Sequence, residues 1–251
     1  MAWLALVDQL VLRRTVSVLV YLGPAVDAPT APTGMETAVP DYDQLRYDEL
    51  ASISEFVHGL TDEQWDQNSL CRGWRVRDVV SHMTLGYTTP MLSMIGLMAK
   101  HGFNVPKGSA EESVAYGSAH TPAQIMAVFD TIPEEHVRKG IAKVIKPQEG
   151  LVDHIVHQQD MRRPLGLPRQ IPADRLLAAL GVVPGISGFV GAKKRAAGLR
   201  LVATDVDWSH GQGPEVQGTG EAILLALTGR PIVLDELTGE GVATLRGRVA
   251  A

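Results

Sequence analysis

Apolar residues recur every three to four positions through most of the chain, which predicts a mainly helical protein. Between residues 43 and 60, leucine, isoleucine and valine follow this period with charged residues between them. We expect further helices over residues 75–86, 91–99, 150–163 and 172–180. Residues 102–117 contain a proline, glycines and several small residues, so we expect this stretch to be a loop.

Two short sequences carry the residues that begin a helix. Thr61 is followed three positions later by Gln64, the spacing of a capping box, in which the two residues satisfy each other's backbone N–H groups. Thr121 is followed by Pro122 and Gln124, which adds a proline at the first helical position. Both sequences therefore predict a helix start at the threonine.

The hydrophobic pattern changes at residues 184–188. Beyond this point, residues 199–206 alternate and are rich in Leu and Val, which predicts a strand. A glycine-rich turn follows, and residues 221–228 predict a short apolar helix that ends at Gly229. We therefore expect a helical domain over residues 35–184 and a small α/β domain over residues 185–251.

Residues 1–34 differ in character from the rest of the chain. Their apolar stretch is interrupted by Pro24 and followed closely by Asp27, which disfavours a secretory signal peptide. Residues 28–34 have the composition of a linker. We expect an N-terminal extension that is either poorly ordered or the product of a start codon assigned too far upstream.

Composition and charge exclude several classes of protein. The 251 residues include 23 Lys and Arg against 28 Asp and Glu, and this net charge of -5 disfavours a general nucleic-acid binder. The single cysteine, Cys71, excludes an internal disulfide framework and a thiolate-clustered zinc site, and it favours the reducing cytosol. Arg72 could lower the pKa of this thiol, although a buried, inert thiol is the favoured interpretation. No apolar run reaches 18 residues, so we expect no membrane span.

One polar cluster has the spacing of a metal site. Asp153, His157 and Asp160 share one face of a predicted helix, because residues three and four apart lie on neighbouring turns. Zn²⁺ accepts carboxylate and imidazole ligands, and a catalytic site needs three protein ligands and an open position. His82, in another predicted helix, is the candidate for the remaining ligand. A solvent-exposed polar face would show the same spacing, and the periodicity leaves that alternative open.

Two acidic residues could orient a ligand histidine from behind. Asp78 lies one turn before His82 and could accept a hydrogen bond from its ring, although an acidic residue is also ordinary in the first turn of a helix. Asp160 could hold a ligand histidine in the same way, or it could pair with Arg162 or Arg163.

Three segments resemble the mycothiol-dependent maleylpyruvate isomerase family, which belongs to the DinB-like metal-binding helical bundles. Residues 60–83, LTDEQWDQNSLCRGWRVRDVVSHM, resemble its first signature. Residues 154–166, HIVHQQDMRRPLG, resemble its metal-ligand helix and the turn that follows. Residues 202–230 are similar to the small C-terminal unit that many members carry. The match covers most of residues 40–251 in the same order.

The resemblance implies a DinB-like four-helix bundle, followed here by the small α/β unit. It also implies a divalent metal ion, usually zinc, held by His82, Asp153 and His157. The family often has glutamate where this chain has Asp153, and aspartate is one methylene shorter but supplies the same kind of oxygen ligand. Arg230 lies in the family's Leu-Thr-Gly-Arg pattern and could bind a substrate carboxylate, or it could be a solvent-exposed charge at a helix end.

The activity implied by the resemblance is thiol chemistry. Members that act on small electrophiles use the low-molecular-weight thiol mycothiol as cosubstrate, for isomerisation or for transfer. We therefore expect a cytosolic enzyme with mycothiol and a small electrophile as partners, without nucleic acid or membrane, and with a homodimer as an option. Two alternatives stay open: a metal-dependent hydrolase with metal-bound water, and a non-catalytic binding or stress-response module.

Overall fold

Helices occupy most of residues 39–188 and 190–250, the parts of the chain that the computed structural model describes. In chain order they are α1 (Tyr42–His58), α2 (Asp62–Trp65), α3 (Val76–Thr88), α4 (Met91–Lys100), α5 (Val105–Ala119), α6 (Pro122–Phe129), α7 (Thr131–Glu135), α8 (Pro147–Arg162), α9 (Ala173–Val182), α10 (Ala192–Ala196), α11 (Gly220–Leu227) and α12 (Val242–Val249). The strands are β1 (Arg200–Ala203), β2 (Ser209–His210) and β3 (Glu215–Gly218). All the helices predicted from the sequence are present, although their first and last residues differ from the predicted ones.

Both predicted capping boxes are confirmed. The Thr61 hydroxyl accepts a hydrogen bond from the backbone N–H of Gln64, whose side chain accepts one from the backbone of Thr61. Thr121 and Gln124 make the same reciprocal pair at the start of α6. These local contacts satisfy N–H groups that have no partner inside the helix, so the helix starts follow from a few neighbouring residues.

The predicted helical bundle is confirmed. Helix α1 packs mainly on α8, and α3 packs mainly on α5. Leu50 of α1, Val79 of α3, Phe129 of α6 and Met161 of α8 are fully buried in one apolar core. The bundle core therefore lies between helices that bring the predicted metal ligands from different parts of the chain.

The predicted loop over residues 102–117 is wrong, because α5 occupies most of it. Asn104 begins this helix by accepting a hydrogen bond from a backbone N–H of the first turn. The small residues serve packing against α3: a Cβ atom on Gly117 would overlap the carboxylate of Asp78. Tertiary packing here outweighs the weak helix propensity that the sequence shows.

The strand predicted over residues 199–206 is present as β1, which is shorter than predicted. Strand β1 lies in the middle, with β2 antiparallel on one side and β3 parallel on the other, and Leu201 is paired with both His210 and Val216. The buried residues of α11 share a second apolar core with Leu201 and with Leu151 of α8. Helix α8 therefore contributes to both cores.

Two expectations lie beyond what this fold tests. The N-terminal extension over residues 1–34 is outside the described residues. The division into domains at residues 184 and 185 stays a prediction. Within the described residues, none of the helices combines the length and apolar character that a membrane span requires.

A buried ion cluster ties α1 to α9 and the segment before it. The Glu49 side chain is fully buried, and its Oε1 accepts a hydrogen bond from Arg169 at 2.5 Å. Its Oε2 accepts one from Arg175 at 2.8 Å. A carboxylate removed from water needs such charged partners, because an unpaired buried charge is strongly destabilising.

We expect Glu49→Ala to lower the free energy of unfolding by about 3–5 kcal/mol, because two guanidinium groups lose their buried acceptor. Urea denaturation measures this change. Asp48→Ala is the control, since the exposed Asp48 side chain accepts a hydrogen bond from Gln44 and its removal should cost less than about 1 kcal/mol. An unchanged urea midpoint for Glu49→Ala would show that the cluster does not hold these segments together.

Candidate metal centre

The three predicted ligands meet between α3 and α8. His82 lies on α3, and Asp153 and His157 lie one turn apart on α8. One donor atom of each side chain lies within 4.8 Å of the other two. Nε2 of His157 is 3.4 Å from Oδ1 of Asp153, and the His82 and His157 ring centroids are 5.1 Å apart. The fold therefore places His82 next to Asp153 and His157, although these two residues follow it by 71 or more positions in the sequence.

The donor set fits a divalent ion such as Zn²⁺. Two imidazole nitrogens and one carboxylate oxygen are a known combination for zinc sites that leave a position open to another ligand. The His157 side chain is 10% exposed, whereas Asp153 keeps 47% of its side-chain surface. The site can therefore be reached from the side of Asp153.

The electrostatics of the pair on α8 favour a cation. Burial lowers the pKa of His157, but the charge of Asp153 and hydrogen bonds with Asp153 and Asp160 outweigh it and raise that pKa well above its ordinary value. Burial also raises the pKa of Asp153, and the charge of His157 overcomes this effect, so the carboxyl stays ionised. The negative charge that raises the pKa of His157 also attracts a metal ion, which would displace the ring proton on binding.

His82 is held differently. Burial lowers its pKa to about 4, and nearby His157 adds to the effect, so the ring is neutral at pH 7, as metal coordination requires. Its Nδ1 lies 3.0 Å from the hydroxyl of Ser109 on α5, which leaves Nε2 free. The indole of Trp74 packs near both histidines. Ser109 was not among the predicted site residues, because its segment was expected to be a loop.

Asp160 contacts His157, which is one of the two arrangements that the sequence left open. Its carboxylate is fully buried, and Oδ2 accepts the Nδ1–H of His157 at 3.0 Å. A carboxylate on one ring nitrogen directs the other nitrogen toward the metal. Asp78 instead accepts hydrogen bonds from the backbone N–H and guanidinium of Arg75, so it is an ordinary first-turn residue of α3.

Asp160 also binds two groups from other parts of the chain. Arg230 donates from Nε to Oδ1 at 3.0 Å and from Nη2 to Oδ2 at 2.5 Å. The thiol of Cys71 donates to Oδ2 at 3.1 Å. Burial raises the pKa of Asp160, but hydrogen bonds with His157 and Arg230 lower it to about 2. The carboxylate therefore stays charged at neutral pH and keeps these contacts.

Arg230 was predicted to bind a substrate carboxylate, and that role stays a prediction. Two of its nitrogens are engaged by Asp160, and Nη1 donates to the carbonyl of Thr228 at 2.8 Å. The side chain remains 21% exposed and lines a cleft of about 250 Å³. The other residues that line this cleft are Leu70, Cys71, Gly229, Pro231 and Ile232.

A second group of potential ligands overlaps the first. Donor atoms of Cys71, His157 and Asp160 also lie within 4.8 Å of one another. Arg230 already places a positive charge on the Asp160 carboxylate, which opposes a cation at that position. We therefore favour the group that contains His82. The hydrogen bond from the Cys71 thiol to Asp160 was not expected, because the two residues lie 89 positions apart.

Comparison with known proteins agrees with this fold. Residues 47–139 match the family model described as the mycothiol maleylpyruvate isomerase N-terminal domain. Two solved structures are similar: the crystal structure of the mycothiol-dependent maleylpyruvate isomerase and that of its histidine-to-alanine mutant. Each is 16% identical, has a TM-score of 0.52, and covers 80% of this chain and 92% of its own. No curated protein matches the sequence. The resemblance and the fold class predicted from the sequence are confirmed.

We expect Asp160→Asn to weaken Zn²⁺ binding about tenfold or more, because the neutral amide no longer orients His157 as strongly. A competition titration with a chelator measures the affinity. Asp78→Asn is a matched control: it also replaces a buried carboxylate that pairs with an arginine, but it has no contact with His157. Equal affinities for Asp160→Asn and the control would show that Asp160 does not act on the site.

Proposed function

Because residues 47–139 match the family model of the mycothiol maleylpyruvate isomerase N-terminal domain, we propose that this protein is a zinc-dependent enzyme that uses mycothiol as cosubstrate. The reaction is isomerisation of a small electrophile or transfer of the thiol to it. The observation that carries the proposal is the convergence of His82, Asp153 and His157 from two helices. Maleylpyruvate, named in the matched structures, is the first substrate to test.

The residues of the site suit a small thiol. A bound divalent ion lowers the pKa of a coordinated thiol, so that a thiolate is present near neutral pH. His82 would supply a neutral nitrogen ligand and His157 a second nitrogen from the buried side, and the half-exposed Asp153 leaves an approach from solvent. Asp160 keeps the His157 ring in place without itself facing that approach.

The thiol supplies the chemistry that an isomerisation requires. Its sulfur adds to an activated carbon–carbon double bond while the electron pair moves onto the conjugated carbonyl. Rotation about the resulting single bond follows, and the electron pair returns as the sulfur leaves. In a transfer reaction the sulfur stays on the product and a proton is added instead. We include Arg230 as the group for a substrate carboxylate, because it lines the cleft and a guanidinium binds carboxylates in pairs of hydrogen bonds.

We expect zinc-loaded wild type to isomerise maleylpyruvate only when mycothiol is supplied. His157→Ala should reduce turnover by about 100-fold or more, because it removes a ligand and the partner of Asp160. His58→Ala is the control, since this histidine is 57% exposed and pairs with Asp130 on the outside of α1. Absorbance of the substrate follows the isomerisation, and mass spectrometry detects a thiol adduct.

The other outcomes distinguish the alternatives. Hydrolysis of a test ester without thiol, and no thiol-dependent reaction, would contradict the proposal in favour of a hydrolase. Bound metal with neither reaction would favour a non-catalytic module. The cytosolic location and the homodimer stay predictions.

A further inference from the structure

His154 follows the candidate ligand Asp153 on α8, and neither of its ring nitrogens has a role in the site described above. Its side chain is 4% exposed. Nε2 lies 2.8 Å from the hydroxyl of Tyr87 on α3. Nδ1 lies 3.4 Å from Oδ2 of Asp153, and it has no partner of good hydrogen-bond geometry among the described residues. A buried polar atom in this position is costly, so its orientation toward the carboxylate is significant.

The surroundings of the ring determine where its proton lies. If Nε2 carried the proton, the lone pair of Nδ1 would face the negative carboxylate of Asp153. If the Tyr87 hydroxyl donates to Nε2, the ring proton lies on Nδ1 and faces a carboxylate that can accept it. Burial raises the pKa of Tyr87 well above its ordinary value, so its hydroxyl keeps the proton that this arrangement needs.

The two oxygens of Asp153 face different partners. Oδ1 lies 3.4 Å from Nε2 of His157, on the side of the metal group. Oδ2 lies 3.4 Å from Nδ1 of His154. Each carboxylate oxygen of Asp153 therefore has one imidazole nitrogen as a neighbour.

We propose that His154 is a positioning residue, whose Nδ1–H holds the Asp153 carboxylate while Tyr87 fixes the imidazole ring. This inference rests on the proposed metal site. Asp153 is a short ligand, and nearly half of its side-chain surface is exposed. A fixed hydrogen-bond partner therefore has a large effect on the orientation of its carboxylate. The pair of His154 and Tyr87 would set the angle at which Asp153 presents Oδ1.

Two substitutions of His154 separate this role from simple packing. The amide nitrogen of Asn lies about where Nδ1 lies in histidine, and that of Gln lies about where Nε2 lies. We expect His154→Gln to weaken Co²⁺ binding about tenfold and to change the visible spectrum of the Co²⁺ form, because the contact with Asp153 is lost. His154→Asn should retain affinity within about threefold of wild type, because it retains that contact.

Two tyrosines provide a matched pair of further variants. Tyr87→Phe removes the hydroxyl that fixes His154 and should weaken Co²⁺ binding severalfold, with a change in the spectrum. Tyr47→Phe also removes a buried hydroxyl, which donates to the carbonyl of His136 at 3.1 Å. This variant should leave the Co²⁺ affinity and the spectrum unchanged. Thermal unfolding of both variants measures how much stability each substitution removes.

Each other result contradicts the proposal. Wild-type affinity and spectrum in His154→Gln would show that the residue does not position Asp153, and equal losses in the Asn and Gln variants would show a packing role. Failure of wild type itself to bind Co²⁺ would overturn the proposed function as well, so the two failures are distinguishable. If both His154 variants fail to fold, ¹⁵N chemical shifts of wild type decide, and a proton on Nε2 of His154 would contradict the inference.

Discussion

The carboxylate of Asp160 is fully buried at a point where three parts of the chain meet. A charge removed from water in this way must be matched by charged or polar partners, and here they are the His157 ring, the Arg230 guanidinium and the Cys71 thiol. These contacts attach α8 to the loop before α3 and to the segment after α11. They also fix His157 with one nitrogen toward Asp160 and the other toward Asp153. The geometry of the candidate site therefore depends on contacts that also join α8 to the segment after α11.

Much of this arrangement could be predicted from short-range pattern. Capping boxes, the helical period and the spacing of Asp153 and His157 depend on neighbouring residues, and each was found where the sequence placed it. Whether the polar face of α8 points inward could not be predicted. This helix is buried on nearly all sides and includes the buried polar residues Gln158 and Gln159, so its sequence lacks the contrast between an apolar and a polar face.

The remaining features depend on packing between distant segments. Helix α5 was missed because its glycines and serines resemble a loop, although these small residues allow it to approach α3 and bring Ser109 to His82. The Tyr87–His154 contact joins residues 67 positions apart. Arg230 was found as a candidate, but its partner was not, because a guanidinium binds a protein carboxylate as readily as that of a substrate.

The proposed chemistry depends most on one divalent ion held between α3 and α8. Elemental analysis of purified protein, after incubation with excess Zn²⁺ and removal of unbound ion, tests this directly. We predict about one zinc ion per chain in wild type and a loss of that ion in both His82→Ala and Asp153→Ala, because three protein ligands define the site. Absence of zinc from folded wild type, or an unchanged zinc content in both variants, would contradict the assignment of this centre.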